Sequence, residues 1–163
     1  MRGVRATMRA TVVTLTVLMG VTPALAATPP RPTVTAGALR LGGLLDGDFE
    51  HGCGFSASSD SSDGANTVLI ATWGEDENLH IFVDGKLRLL RAHGDYGGWA
   101  DRIGQSERFE FGDASANATI ELTSTWVCPT GSSGCELAKY RGTLKLKVGD
   151  KSGEVAIHAE GGC

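Results

Sequence analysis

Leu79-His80-Ile81-Phe82-Val83-Asp84-Gly85-Lys86-Leu87-Arg88-Leu89-Leu90 reads as two β-rich runs separated by a pair of turn residues. Asp-Gly suits the two positive φ angles of a type I′ turn, so the spacing predicts a β-hairpin over 79–90. A two-residue loop sets Phe82 opposite Leu87 and His80 opposite Leu89. On this reading those four side chains form the core face, and Lys86 and Arg88 point to water. His80 is then a hydrogen-bonded core histidine rather than a ligand.

The same grammar continues on both sides of the hairpin. Short runs of β-formers recur at 38–41, 54–57, 67–73, 108–111, 117–127, 139–148 and 154–160, each bounded by Gly, Asp, Asn or Ser clusters. Ala118, Ile120, Leu122 and Trp126 alternate with Thr119, Glu121, Thr123 and Thr125. Leu144, Leu146 and Val148 alternate with Thr143, Lys145 and Lys147, and Val155, Ile157 and Ala159 alternate with Glu154, His158 and Glu160. This period of two predicts strands with one buried and one wet face. A four-residue loop over 149–152 would set Leu146 opposite Val155 and Leu144 opposite Ile157, with Lys147 beside Glu154. The expectation is all-β: a single small antiparallel β-sandwich or closed β-barrel of about eight strands, braced by disulfides.

Residues 1–26 carry Arg2, Arg5 and Arg9, an apolar run over 11–21, Pro23 and then Ala24-Leu25-Ala26. That three-part layout is a secretory signal peptide, with cleavage expected after Ala26. A Pro-rich lead over 27–37, read as flexible, then precedes one β domain over 38–163. The apolar run is shorter than the ~20 residues a spanning helix needs, so no membrane insertion is expected. The whole chain has 15 Lys+Arg against 19 Asp+Glu. Losing the three leader arginines leaves 12 basic residues, a net charge of −7, which disfavours nucleic acid and anionic membranes as partners.

All four cysteines, Cys53, Cys128, Cys135 and Cys163, follow the leader. An even count in an exported chain favours two disulfides. The turn-rich stretch between Cys128 and Cys135 lets those two meet, which leaves Cys53 for Cys163. No pair has the spacing of a zinc knuckle, and neither a metal site nor a cofactor is expected. The acidic turns Asp46-Gly47-Asp48, Asp60-Ser61-Ser62-Asp63 and Glu75-Asp76-Glu77 lack the EF-hand spacing and read as solvated. Asn117-Ala118-Thr119 fits a glycosylation sequon.

The longest segment without strand character, 91–106, holds four glycines together with His93, Asp95, Tyr96, Trp99, Asp101 and Arg102. Loops of that length in a small domain are usually functional or disordered. Tyr96 and Trp99 offer faces for a sugar ring or a protein partner, with His93 and Arg102 beside them as binding residues. Were the chain a small hydrolase, His93, Asp95 and Asp101 would be its acid–base residues, although no nucleophile elbow accompanies them. The leading expectation is a secreted or periplasmic binding module for a protein or glycan, presenting this loop and the bridged one at 128–135.

In size, export signal and bridges the chain is similar to small periplasmic lysozyme inhibitors with β-barrel folds. The likeness implies inhibition of an exported hydrolase as an alternative role. Their Ser-Gly-x-x-Tyr signature is not met, since Gly94-Asp95-Tyr96 has a different spacing and no serine.

Overall fold

The computed structural model describes residues 30–49, 52–61, 64, 66–74, 77–94, 100–129, 131 and 135–162. Asp84 and Gly85 take φ angles of 47° and 82° and turn β5 (Asn78–Val83) into β6 (Lys86–Ala92), with Val83 opposite Lys86. Eight further strands are β1 (Thr33–Ala36), β2 (Leu39–Gly42), β3 (Gly54–Asp60), β4 (Thr67–Gly74), β7 (Ser106–Gly112), β8 (Ala116–Val127), β9 (Leu137–Val148) and β10 (Lys151–Gly162). The order β5-β4-β3-β10-β9-β8-β7-β6 closes on itself through the β5–β6 pairing, giving an antiparallel barrel of eight strands. The choice between sandwich and barrel is thus settled as barrel.

β1 and β2 form an extra hairpin joined to β5 through Leu41↔Val83 and Gly42↔Phe82. β1 lies inside the stretch read as a flexible lead, because Thr33-Val34-Thr35-Ala36 alternates and buries Val34 and Ala36. Its turn reaches β10, where the Ala38 amide donates to the Ser152 carbonyl.

Two seams in the barrel are narrow. β4 meets β5 through Ala71↔Ile81 and Thr72↔His80, and β6 meets β7 through Arg91↔Gly112 and Ala92↔Phe111. The interior is packed core, as barrels of this strand number usually are. Phe55 stacks on Trp73 at 4.9 Å between ring centroids, and Phe109 and Tyr140 lie tilted 5.1 and 5.5 Å from Phe55. Ile81, Leu79, Leu90, Ile120 and Leu144 fill the remaining length, each fully buried. Burial of each such side chain contributes about 1.5–3 kcal/mol.

Three further sequence expectations require correction. The cross-strand pairs of the 79–90 hairpin form as expected, but its faces are reversed: Leu79, Ile81, Val83 and Leu90 point inward. His80, Phe82, Leu87 and Leu89 lie outside, with Leu87 41% and Leu89 53% exposed. The hairpin carries apolar side chains on both faces, with Phe82, Leu87 and Leu89 on the outer one, where residues 31 and 42–48 cover Phe82 and His80, so alternation alone could not choose between them. Arg88 tolerates the inner side because it sits at the rim, where its Nη1 donates to Ser115 Oγ at 3.0 Å.

Trp126 is the second correction. A register shift between Ser124 and Trp126 flips the end of β8, and Trp126 is 38% exposed instead of sharing the buried face of Ile120 and Leu122. The third is the β9–β10 turn, which has two residues rather than four. Val148 therefore pairs with Lys151, Leu144 with Val155 and Leu146 with Gly153. Because the slip is an even number of residues, Ile157 and Ala159 still point inward.

Candidate functional site

β6, β8 and β4 all finish at one end of the barrel. The described loop segments at that end include 100–105 and the residues on either side of the Cys128–Cys135 bridge. Cys128 and Cys135 are joined as expected, with Cα atoms 5.8 Å apart. Cys53 is disulfide-bonded as well. Its expected partner, Cys163, lies outside the described residues; Gly162 pairs with Gly54, one residue from each.

The second half of the long loop is pinned to the barrel. The Ala100 amide donates to the Tyr140 hydroxyl at 3.0 Å, the Gly104 amide to the Ser124 carbonyl at 2.9 Å and the Gln105 amide to Ser124 Oγ at 3.0 Å. Ser124 returns bonds from its amide to the Gln105 carbonyl and from its hydroxyl to the Arg102 carbonyl. Gln105 Oε1 accepts from the Asp101 amide at 3.2 Å. Burial raises the Tyr140 phenol above its usual range, so the hydroxyl stays protonated and remains a neutral acceptor.

This frame presents Asp101, Arg102 and Ile103 to solvent, with Ile103 66% exposed. Trp126, two residues beyond Ser124, adds a second exposed apolar side chain near the loop's anchor. Neither Ile103 nor Trp126 stood out in the sequence as a surface residue. Ile103 carries no periodic signal within a loop, and the bulge that exposes Trp126 leaves no local mark.

Of the expected binding residues, Arg102 and His93 are both exposed, while Tyr96 and Trp99 lie outside the described residues. Of the acid–base set, Asp95 also lies outside them. His93 and Asp101 are anchored at different points along β7. The His93 amide is fixed to the Glu110 carbonyl near the end of β7, whereas Asp101 is anchored through Gln105, just before its start. At ~3.3 Å per strand residue those anchor points are about 16 Å apart. Among the described residues no group of three or more His, Cys, Asp or Glu is placed to hold a metal ion.

A second polar arrangement lies on the outer face of β5. Arg31 makes a bidentate pair with Asp48 and lays its guanidinium 4.1 Å from the Phe82 ring centre. Asp48 also accepts from the Leu45 amide, and its carbonyl accepts from His80 Nδ1 at 3.0 Å. His80 is therefore hydrogen-bonded as expected, but to a covering strap instead of within the core. The Arg31 hydrogen bonds hold the Asp48 carboxyl below the usual carboxylate range. The strap serves packing: Leu44 is buried, and its amide donates to the Leu69 carbonyl.

Comparison of the chain with family models, curated proteins and solved structures finds no match.

Proposed function

We propose that the protein is an exported binding module that grips a protein partner through the rim formed by residues 100–105 and the end of β8. The carrying observation is Ile103: a branched apolar side chain, 66% exposed, on a segment held by hydrogen bonds to Tyr140 and Ser124. An apolar anchor fixed before binding loses little conformational freedom when a partner arrives. Arg102, next to it in the chain, and Trp126, two residues beyond the Ser124 anchor, are residue types that often dominate binding energy. The leader-like residues 1–26 and the Cys128–Cys135 bridge favour an oxidising, extracytoplasmic setting.

An amide-correlation NMR titration tests this reading, with a lysozyme, peptidoglycan fragments and polysaccharide oligomers added in turn. Support is a set of shifts confined to residues 100–106 and 124–126 on adding the protein, abolished by Ile103→Asp. Shifts produced by the glycan arms alone would replace the protein partner with a carbohydrate. A hydrolytic activity that disappears in His93→Ala while the spectrum stays dispersed would replace the binding module with an enzyme.

A further inference from the structure

The β6–β7 seam is open toward the Asp84–Gly85 end. β5 accompanies β6 from Lys86 to Arg91, but β7 reaches only Arg91 and Ala92 before the chain turns through 113–115. Closure of the two-residue turn at Val83↔Lys86 directs the backbone groups of Lys86, Arg88 and Leu90 toward β5. Those of Leu87 and Leu89 point the other way. The alternation is visible further along, where the Ala92 amide donates to Glu77 on the β5 side and the His93 amide to Glu110 on the β7 side. Along this unpaired edge runs a cleft lined by Arg88, Ser115, Asn117 and Lys147.

The β6 edge of the seam is basic. Residues 86–93 contain Lys86, Arg88 and Arg91 and no carboxylate, in a chain that is acidic as a whole. Lys86, Arg88, Arg91 and Lys147 form no ion pair among the described residues. Of the nearby carboxylates, Asp84 pairs with Lys151 and the Arg40 amide, Asp113 accepts from the Ser115 and Ala116 amides and the Ser115 hydroxyl, and Asp150 follows Gly149 at the end of the cleft. On the outer face of the same strand, Leu87 and Leu89 are uncovered.

We propose that this seam is a docking groove for an extended acidic segment of a partner protein, distinct from the rim at the other end of the barrel. The segment adds to β6 as a strand, bonding the free amides and carbonyls of Leu87 and Leu89. Its apolar side chains rest on Leu87 and Leu89, the carboxylates that alternate with them meet Arg88 on the opposite face, and Arg91 and Lys147 attract the segment through their wider field. A second copy of this chain is a poorer occupant: two-fold pairing centred on Arg88 sets that cation opposite itself, and like charges directly opposite repel.

The test is NMR on the full protein with three probes: a decapeptide alternating Glu and Val, the same peptide with Lys for Glu, and phosphatidylglycerol vesicles. The acidic peptide should slow exchange of the Leu87 and Leu89 amides and shift residues 86–92, 114–117 and 147–149. Leu89→Glu and Arg91→Glu, both at exposed positions, should each weaken it at least tenfold while the remaining spectrum persists. The proposal is overturned by unprotected Leu87 and Leu89 amides, by equal binding of the basic peptide, by shifts from vesicles alone, or by the same shifts on raising protein concentration. Shifts at 86–92 that survive Ile103→Asp separate this groove from the rim.

Discussion

The Tyr140 hydroxyl lies 3.0 Å from the Ala100 amide and joins the long loop to the aromatic interior of the barrel. Through its ring, 5.5 Å from Phe55, the same residue connects the loop with the packing that closes this end. Tyr140→Phe keeps the ring and removes the acceptor. It should lower stability by about 1 kcal/mol, the net value of a typical hydrogen bond. Amide exchange of Ala100 should accelerate while that of Ile120 is unchanged; equal rates at Ala100 in both proteins would sever the claimed link.

Tyr140 also sets a pH dependence. Burial raises its folded pKa above the unfolded value, so the folded state holds the proton more tightly. This contribution is complete below the unfolded value of ~10 and is lost as pH rises through the folded one. Urea midpoints for wild type should fall more steeply above pH 10 than those of Tyr140→Phe. Parallel curves would count against the burial argument.

The strap over β5 depends on acid in the opposite sense. Asp48 is held down first by the Arg31 hydrogen bonds, so its contribution is present above the unfolded value of ~3.9 and is lost as pH falls through the depressed folded value. Asp48→Asn should remove about 1–2 kcal/mol at pH 7 and flatten the acid limb of the stability curve. If thermal melts at pH 7 and pH 3 differ as much in the variant as in wild type, Asp48 does not carry that limb.

Two glycines separate crowding from backbone strain. A Cβ at Gly153 would lie 1.8 Å from the Ala36 carbonyl oxygen, so Gly153→Ala must push the β1–β2 hairpin away and should lose about 3 kcal/mol. At Gly85 no atom lies within 4 Å, but φ is +82°, and Gly85→Ala should lose only about 1 kcal/mol. Chemical denaturation of both variants checks the order, and a smaller loss at Gly153 would contradict the close packing.

The short bridge is expected to act chiefly on the unfolded chain. Replacing both Cys128 and Cys135 with Ser should lower stability by about 2.5 kcal/mol in the chain-entropy picture of a loop this short. The β8–β9 ladder from Ala116↔Val148 to Val127↔Ala138 does not need the bridge, so β-sheet circular dichroism should persist. Loss of the folded spectrum would show that the bridge holds the ladder itself.

Much of this barrel was legible one strand at a time. Asp84-Gly85 announced its turn because two successive positive φ angles suit few other pairs, and the alternation around Ile120, Leu144 and Ile157 chose the buried face of each strand. The spacing of Cys128 and Cys135 across a turn-rich loop indicated their bridge. Those are local properties, set by backbone sterics and a period of two, and the amino-acid sequence determined them by itself. Which side of β5–β6 became the inside was decided only by the tertiary structure, because the hairpin carries apolar side chains on both faces and the outer one is partly shielded by a strap anchored at Arg31. The outward turn of Trp126 likewise depends on a bulge against β9, and the exposure of Ile103 on hydrogen bonds to Ser124, which lies 21 positions along the chain. Contacts between residues remote in sequence leave no periodic trace in either strand, so the exposed rim and the open seam became visible only once the barrel had closed.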